Sequence, residues 1–264
     1  MLPAFVEERE EFATAAPHLS FSRINRYLHC PEQYRLYYIE NLRPRLTPAS
    51  LVFGKITHQA LALLFRERQD PVKIFLEYWK DAGQCDLHYR QRESWEKLNV
   101  SGQALLDRFQ RDELVRLSKV TAVEKSFELH ITSLDLPVVG IIDLLADLDG
   151  KRTVIDFKTS SAAYQDHEVM LSDQLTTYQL AEPTAEQAAL CVLVKTKEPQ
   201  IEWHLSRRTG EQMGEFLDKA DLIAHEIATA HFYKRPGKWC TWCDYLPVCT
   251  GDKRKTEETL IRIQ

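Results

Sequence analysis

The sequence predicts a mixed α/β protein, and three observations carry that prediction. Apolar residues recur at helical spacing through most of the first 119 positions, β-branched and alternating runs take over between 122 and 206, and Asp149-Gly150 separates two of those runs. Helices are expected over 22–29, 31–40, 52–68, 71–80 and 94–117. Pro31 and Pro71 stand at first-turn positions, where a missing N–H leaves no bond unmade. Strands follow over 122–131, which alternates, and over 138–148 and 152–158, which are rich in Val, Ile and Leu. A helix over 172–181, strands over 189–195 and 200–206, and a long helix over 211–231 complete the expected core. No internal repeat or low-complexity linker marks a domain boundary.

A chain of 264 residues, 44% of them hydrophobic, can bury one large core or two modest ones. No run of about 18 apolar residues occurs. The opening stretch, with Glu7, Glu8, Glu10 and Glu11, lacks the basic start of a secretory signal, so a cytoplasmic protein without a membrane partner is expected. The formal charge of -5 excludes a protein that coats nucleic acid through a global positive field. Local basic surfaces remain: Arg23, Arg26, Arg35, Arg43, Arg45 and Lys55 near the start, and Lys234, Arg235, Lys238, Lys253, Arg254 and Lys255 near the end. For any one of these residues a solvated face is the default role.

Cysteine spacing adds a second signal. Cys240, Cys243 and Cys249 form a C-x2-C-x5-C knot, with Cys30 as the candidate fourth member far upstream. In a reducing compartment such cysteines do not pair as disulfides, and four soft thiolates complete a [4Fe-4S] cluster or a tetrahedral zinc site. A zinc ribbon usually brings two C-x2-C pairs and this chain has one, which favours the cluster; buried packing thiols are the remaining alternative. Cys85 has no assigned role, and Cys191, inside the apolar run 188–194, reads as a buried strand residue.

The hairpin raises a charge problem. With Asp149 and Gly150 as a two-residue turn, facing residues have numbers summing to 299, so Leu144 meets Ile155 and Asp143 meets Asp156. Two like charges opposite one another among Ile141, Ile142, Val154 and Phe157 are destabilising. Lys158, on the face of Asp156, supplies one compensating charge, and a hard divalent ion held by the two carboxylates would supply two more. A structural Asp–Lys pair is the alternative. Gln174 and Tyr178, four apart, share one face of the expected helix; ordinary helix packing and surface hydrogen bonding are their alternative. Glu124 on the preceding strand is either a supporting carboxylate or a solvent-facing residue.

Asp143 followed by Asp156-Phe157-Lys158 resembles the active site of the PD-(D/E)XK nuclease superfamily. The wider pattern is similar to its RecB-like branch with an iron–sulfur cluster. That branch includes CRISPR-associated cluster nucleases, nuclease domains of bacterial helicase-nucleases, and eukaryotic exonuclease V. Gly54-Lys55-Ile56-Thr57-His58 matches its G-x-x-x-H element, Gly140-Ile141-Ile142-Asp143 its second motif, and Gln174 to Tyr178 its Q-x-x-x-Y element. Cys30, Cys240, Cys243 and Cys249 match its cluster ligands. The match spans 19–249, and its specificity lies in the joint order of motifs that are individually weak. Asp156 stands where the superfamily often has Glu, a change that keeps the carboxylate.

The resemblance implies a central mixed β-sheet flanked by helices, a restriction-endonuclease-like core whose termini a [4Fe-4S] cluster staples together. It implies one nuclease domain over 1–264: a helical region at 19–119 carrying Cys30 and His58, a sheet core at 120–210, and a C-terminal helix with the cysteine segment at 211–264. His58, Asp143, Asp156 and the Phe157 carbonyl would hold Mg2+ or Mn2+, Lys158 would orient or help deprotonate water, and Gln174 and Tyr178 would support Lys158 or the DNA backbone. Trp239 and Trp242 would shield the cluster or stack on bases, and helices in 71–117 would form a clamp or partner surface. The implied function is a DNA exonuclease on single-stranded or resected ends in repair, recombination or CRISPR spacer processing, with helicase or CRISPR adaptation partners. A non-catalytic DNA-binding subunit of such a complex, stapled by iron–sulfur or zinc, is the competing expectation.

Overall fold

A computed structural model describes residues 17–91, 93–131 and 136–263. The acidic opening stretch lies outside those residues. Helix α1 (Phe21–His29) starts where Ser20 accepts the Arg23 N–H, an N-cap that satisfies an otherwise unpaired donor. The expected helix over 31–40 divides into α2 (Pro31–Tyr34) and a π-helical turn (Arg35–Ile39). Short β1 (Leu42–Pro44) and β2 (Thr47–Pro48) precede α3 (Ala49–Glu67). α4 (Pro71–Ala82) is capped by Asp70, and β3 (Leu87–His88) leads to α5 (Trp95–Arg108).

The helix expected over 94–117 ends early. A π-helical turn (Phe109–Glu113) and a 3-10 turn (Leu114–Arg116) unwind it into β4, which runs Leu117–Leu129. Strand β5 occupies Val138–Leu148 and β6 Lys151–Ser160. Between them Asp149 and Gly150 have φ of 50° and 83°, the pair of positive values that a two-residue turn of this kind requires. Helices α6 (Asp166–Met170) and α7 (Asp173–Ala181) cross to β7 (Gln187–Val194), which turns into β8 (Gln200–Ser206). α8 (Gly210–Ala228), α9 (Leu246–Thr250), α10 (Lys253–Thr259) and β9 (Leu260–Arg262) follow. Sequence reasoning did not anticipate α6 or β9.

The central sheet has the order β4-β5-β6-β7-β8, antiparallel except for the parallel β6–β7 pair that the α6–α7 crossover permits. Alternation gives it two buried faces. Leu144, Ala146, Leu148, Ile155, Phe157 and Cys191 pack beneath α3, α4 and α5, while Leu145, Val154, Leu190 and Val192 pack against Leu175 and Tyr178 of α7. Phe75 and Trp79 of α4 and Leu105 of α5 are fully buried. The helices expected to form a clamp are therefore part of the core. Tyr27 of α1 and Phe216 of α8 join Val138 in a third apolar cluster.

Sheet pairing also fixes where a cleft can form. The β5–β6 ladder stops at Leu144–Ile155, yet β5 stays paired to β4 as far as Val138 and β6 to β7 as far as Ser160. Past that pair each strand is held by its outer neighbour and not by the other, so the sheet opens between them. Face alternation slips at the same level: Ile142 belongs with Leu145 on the α7 side, not with Leu144. Glu124, opposite that slip, has φ of 50° between the paired Val123 and Lys125.

Candidate active site

Asp143 and Asp156 are the first residues beyond the end of the β5–β6 ladder. Every pair in that ladder sums to 299, as the turn predicts, but the expected Asp143–Asp156 pair is not one of them. The correction has a physical cause. At the opening, the Phe157 N–H has lost its strand partner and donates to Asp143 Oδ2 at 2.9 Å. That bond draws the Asp143 carboxylate toward β6 and away from a purely cross-strand position.

α3 supplies the next group. Gly54 lies where this helix crosses β6: a Cβ there would stand 3.3 Å from Thr159 Oγ1, tighter than most side chains tolerate. One turn later the close approach places His58 Nδ1 3.2 Å from Asp143 Oδ2. α7 approaches from the opposite face. Gln174 donates to Asp156 Oδ1 at 2.8 Å and to the Tyr178 hydroxyl at 2.8 Å. Tyr178 contacts Asp156 Oδ1 at 3.0 Å and the Ile141 carbonyl at 2.8 Å. Since one hydroxyl proton serves one acceptor, the two bonds alternate or share it.

Lys158 Nζ stands 2.8 Å from Asp156 Oδ2. The oxygen is buried and, despite that charge contact, has no acceptor–donor geometry that qualifies as a hydrogen bond. Asp156 is 2% exposed and the Lys158 side chain 30%, so the pair is largely shielded from water. Burial pushes the Asp156 carboxyl up; Lys158 opposes the shift and Asp143 adds to it. Burial lowers Lys158, but Asp156 and Asp143 outweigh it and hold the ammonium above its ordinary value. Without other ions Lys158 therefore carries a proton, which suits orienting water and offsetting negative charge better than removing a proton. The Tyr178 hydroxyl is raised well above its usual value, first by burial and then by Asp156 and Asp143.

The structure thus brings His58, Asp143, Asp156, Lys158, Gln174 and Tyr178 to one cavity of about 390 Å3. Glu124 is elsewhere engaged, with Arg66 of α3 at 3.0 Å. Sequence reasoning missed the other wall of this cavity: Tyr37 and Tyr38, together with three of the arginines noted only as basic surface. The three-residue spacing of Arg23 and Arg26, which puts both on one face of α1, was the available signal.

The cysteines form a second centre. Cys30, Cys240, Cys243 and Cys249 line one cavity of about 320 Å3 between α2 and the C-terminal segment. All four are free and half-buried. Burial raises the Cys243 and Cys249 thiols, and neighbouring thiols add to both shifts. Gly237 N–H donates to Cys240 Sγ at 3.5 Å and Gln33 to Cys243 Sγ at 3.7 Å. Trp239 lines this cavity, while Trp242 is 78% exposed outside it and shields nothing. Cys191 is buried, as its apolar run predicts.

Among the described residues no three His, Cys, Asp or Glu side chains gather closely enough to hold one metal ion. For the cysteines, neither the expected iron–sulfur cluster nor a tetrahedral zinc site is evident in this arrangement. The first and last parts of the described chain also meet through direct hydrogen bonds. β1 pairs with β9, the Glu32 N–H donates to the Tyr233 carbonyl at 3.0 Å, and Tyr27 donates to the His231 carbonyl at 2.7 Å. For the carboxylates, His58, Asp143 and Asp156 are oxygen and nitrogen donors of the kind a hard divalent cation takes, although as they stand, with Lys158 2.8 Å from Asp156 Oδ2, they are not drawn around one point.

Comparison with known proteins agrees with this architecture. The model of the PD-(D/E)XK nuclease superfamily matches residues 18–250, so the chain belongs to that superfamily, whose members are phosphodiester hydrolases. No curated protein matches. Among solved structures, one described as a "putative exonuclease" from Eubacterium rectale superposes with a TM-score of 0.57 at 12% identity, covering 89% of this chain and 88% of that one. A second, the protein SSO0001, has a TM-score of 0.43 at 12% identity over 94% of this chain and 95% of its own, too distant to argue from. Among the described residues no helix is long and apolar enough to cross a membrane.

Proposed function

We propose that the chain is a metal-dependent nuclease that hydrolyses DNA phosphodiesters, acting as an exonuclease on single-stranded or resected ends. The observation that carries this is the convergence of Asp143, Asp156, Lys158 and His58 where the β5–β6 ladder opens, in a chain of nuclease ancestry. His58, Asp143, Asp156 and the Phe157 carbonyl would hold Mg2+ or Mn2+. Such an ion, when bound, neutralises phosphate charge and acidifies water.

The chain's own groups do the rest. Phe157 N–H fixes Asp143 Oδ2, Gln174 with Tyr178 fixes Asp156 Oδ1, and Lys158 stands against Asp156 Oδ2. Lys158 presents a proton-bearing ammonium to the scissile phosphate, where negative charge grows as the P–O bond breaks. Tyr178 and Gln174 act through Asp156 and are positioning residues.

The cysteine-lined cavity supports a [4Fe-4S] cluster as a structural element, because a multi-atom cluster accepts thiolates spread around a larger body than one ion. A brown protein with visible absorbance, lost in Cys243→Ser, supports that assignment; a colourless protein isolated without air exposure contradicts it. Roles in repair, recombination or CRISPR spacer processing, with helicase or adaptation partners, are those the family resemblance offers for such an activity. Digestion of end-labelled single- and double-stranded DNA with Mg2+ or Mn2+ tests the function. Cation-dependent degradation that Asp156→Ala abolishes is the expected result, and a wild-type protein inert on every substrate contradicts it.

A further inference from the structure

The cavity that holds Asp143 and Asp156 has a second wall of opposite charge. Arg26 and Arg43 lie 3.6 Å and 3.4 Å from the Tyr37 ring centroid, and two guanidinium groups that close to one ring must take opposite faces. Arg23 covers Tyr38 at 4.4 Å. Arg43 is further fixed by donating to the Leu42 carbonyl at 3.0 Å. Stacking and backbone bonds preorganise the guanidinium groups before any ligand arrives.

Charge is unbalanced there. Elsewhere arginines meet carboxylates: Arg35 holds Glu32 at 2.9 Å and Glu40 at 2.7 Å, and Arg116 holds Asp149 at 2.6 Å. Among the described residues none of Arg23, Arg26 and Arg43 has a carboxylate partner, and the buried Nε of Arg26 and of Arg43 has no acceptor. Three clustered, half-buried cations, two of them with an unused donor, call for a multivalent oxyanion. Both faces of Tyr37 are already occupied, so no base can stack on it, and recognition there falls to phosphate. The three arginines line the same cavity as Asp143, Asp156 and Lys158, so a strand whose phosphates they hold leads to the reacting groups.

We propose that Arg23, Arg26 and Arg43, braced by Tyr37 and Tyr38, form a sequence-neutral track for the phosphates of a single nucleic-acid strand leading to the carboxylates. The inference rests on the nuclease reading of that site, but its test does not depend on catalysis.

Binding of a fluorescent oligothymidine with hydroxyl groups at both ends is measured by anisotropy in EDTA, across a range of salt concentrations. Removing one arginine–phosphate pair should reduce the slope of log affinity against log salt by about 0.7, and Arg23→Gln with Arg26→Gln should weaken binding about tenfold or more. Arg26→Lys, which keeps the charge, should restore the slope. Arg26 donates to no backbone carbonyl among the described residues, so its variants disturb the fold least, and an unchanged thermal transition confirms it. Unchanged affinity and slope in the folded variants overturn the track. So does binding that appears only with a 5′- or 3′-phosphorylated strand, which would make the arginines readers of a terminal phosphate. Failure of the nuclease reading appears separately, as absent digestion by the wild type with cation present.

Discussion

The opening between β5 and β6 and the cysteine-lined cavity each concentrate ligand-type side chains, and they are wired differently. At the opening every functional group is fixed by another: Asp143 by Phe157 N–H and His58, Asp156 by Gln174, Tyr178 and Lys158. Around the thiols the sulfurs receive only two long hydrogen bonds, and neighbouring thiols raise one another's proton affinity. A site built on sheet and helix is preorganised by the fold, whereas a site built on coil and short turns depends on what it binds.

The largest expected effect sharpens that contrast at the opening. Asp156→Ala should lower DNA hydrolysis by on the order of a thousandfold, about 4 kcal/mol in the barrier, while leaving DNA binding in EDTA close to wild type. Next in size, Cys243→Ser should lower the thermal transition by more than any single buried hydrogen bond would, an effect of about 3 kcal/mol or more. EDTA alone should leave that transition unmoved. A cysteine variant as stable as wild type breaks the comparison, because both regions would then be self-sufficient.

Lys158→Met tests the balance of charge. It leaves the Asp156 carboxylate buried beside Asp143, with an expected loss of about 2 kcal/mol at neutral pH, discounted from the fully buried case because the Lys158 side chain is partly exposed. The pH sign follows from burial having raised the Asp156 carboxyl. A carboxyl raised by folding lends stability below its unfolded pKa and loses it as pH rises through the folded value. The deficit of Lys158→Met should therefore shrink on acidification, in urea melts at stepped pH. The smallest effect is expected of Tyr178→Phe, about 1 kcal/mol of stability from its missing bond to Ile141 or Asp156, with a lowered kcat and an unchanged DNA affinity.

Much of this was legible in the chain because it depends on short-range chemistry. Asp149-Gly150 set the register of β5 on β6, and the spacing of Gln174 and Tyr178 predicted a shared helix face, which the structure turns to Asp156 where Lys158 or DNA was expected. The end of the ladder was not legible. Period-two reasoning assumes that pairing continues, and nothing local in Asp143 or Asp156 announces that β5 and β6 are held by different neighbours. The β1–β9 pair escaped for a related reason: two strands of three residues each, separated by most of the chain, carry no periodic signal. The Arg26–Tyr37–Arg43 stack needs a π-helical turn to place Tyr37, and such turns have no sequence pattern of their own.

At the root of the account is a divalent ion held where β5 and β6 part. Calorimetric titration of Mn2+ into the protein, wild type against a variant carrying both Asp143→Asn and Asp156→Asn, tests it most directly. One saturable site in the wild type that disappears in the variant is the predicted result; equal binding by both proteins, or by neither, contradicts it.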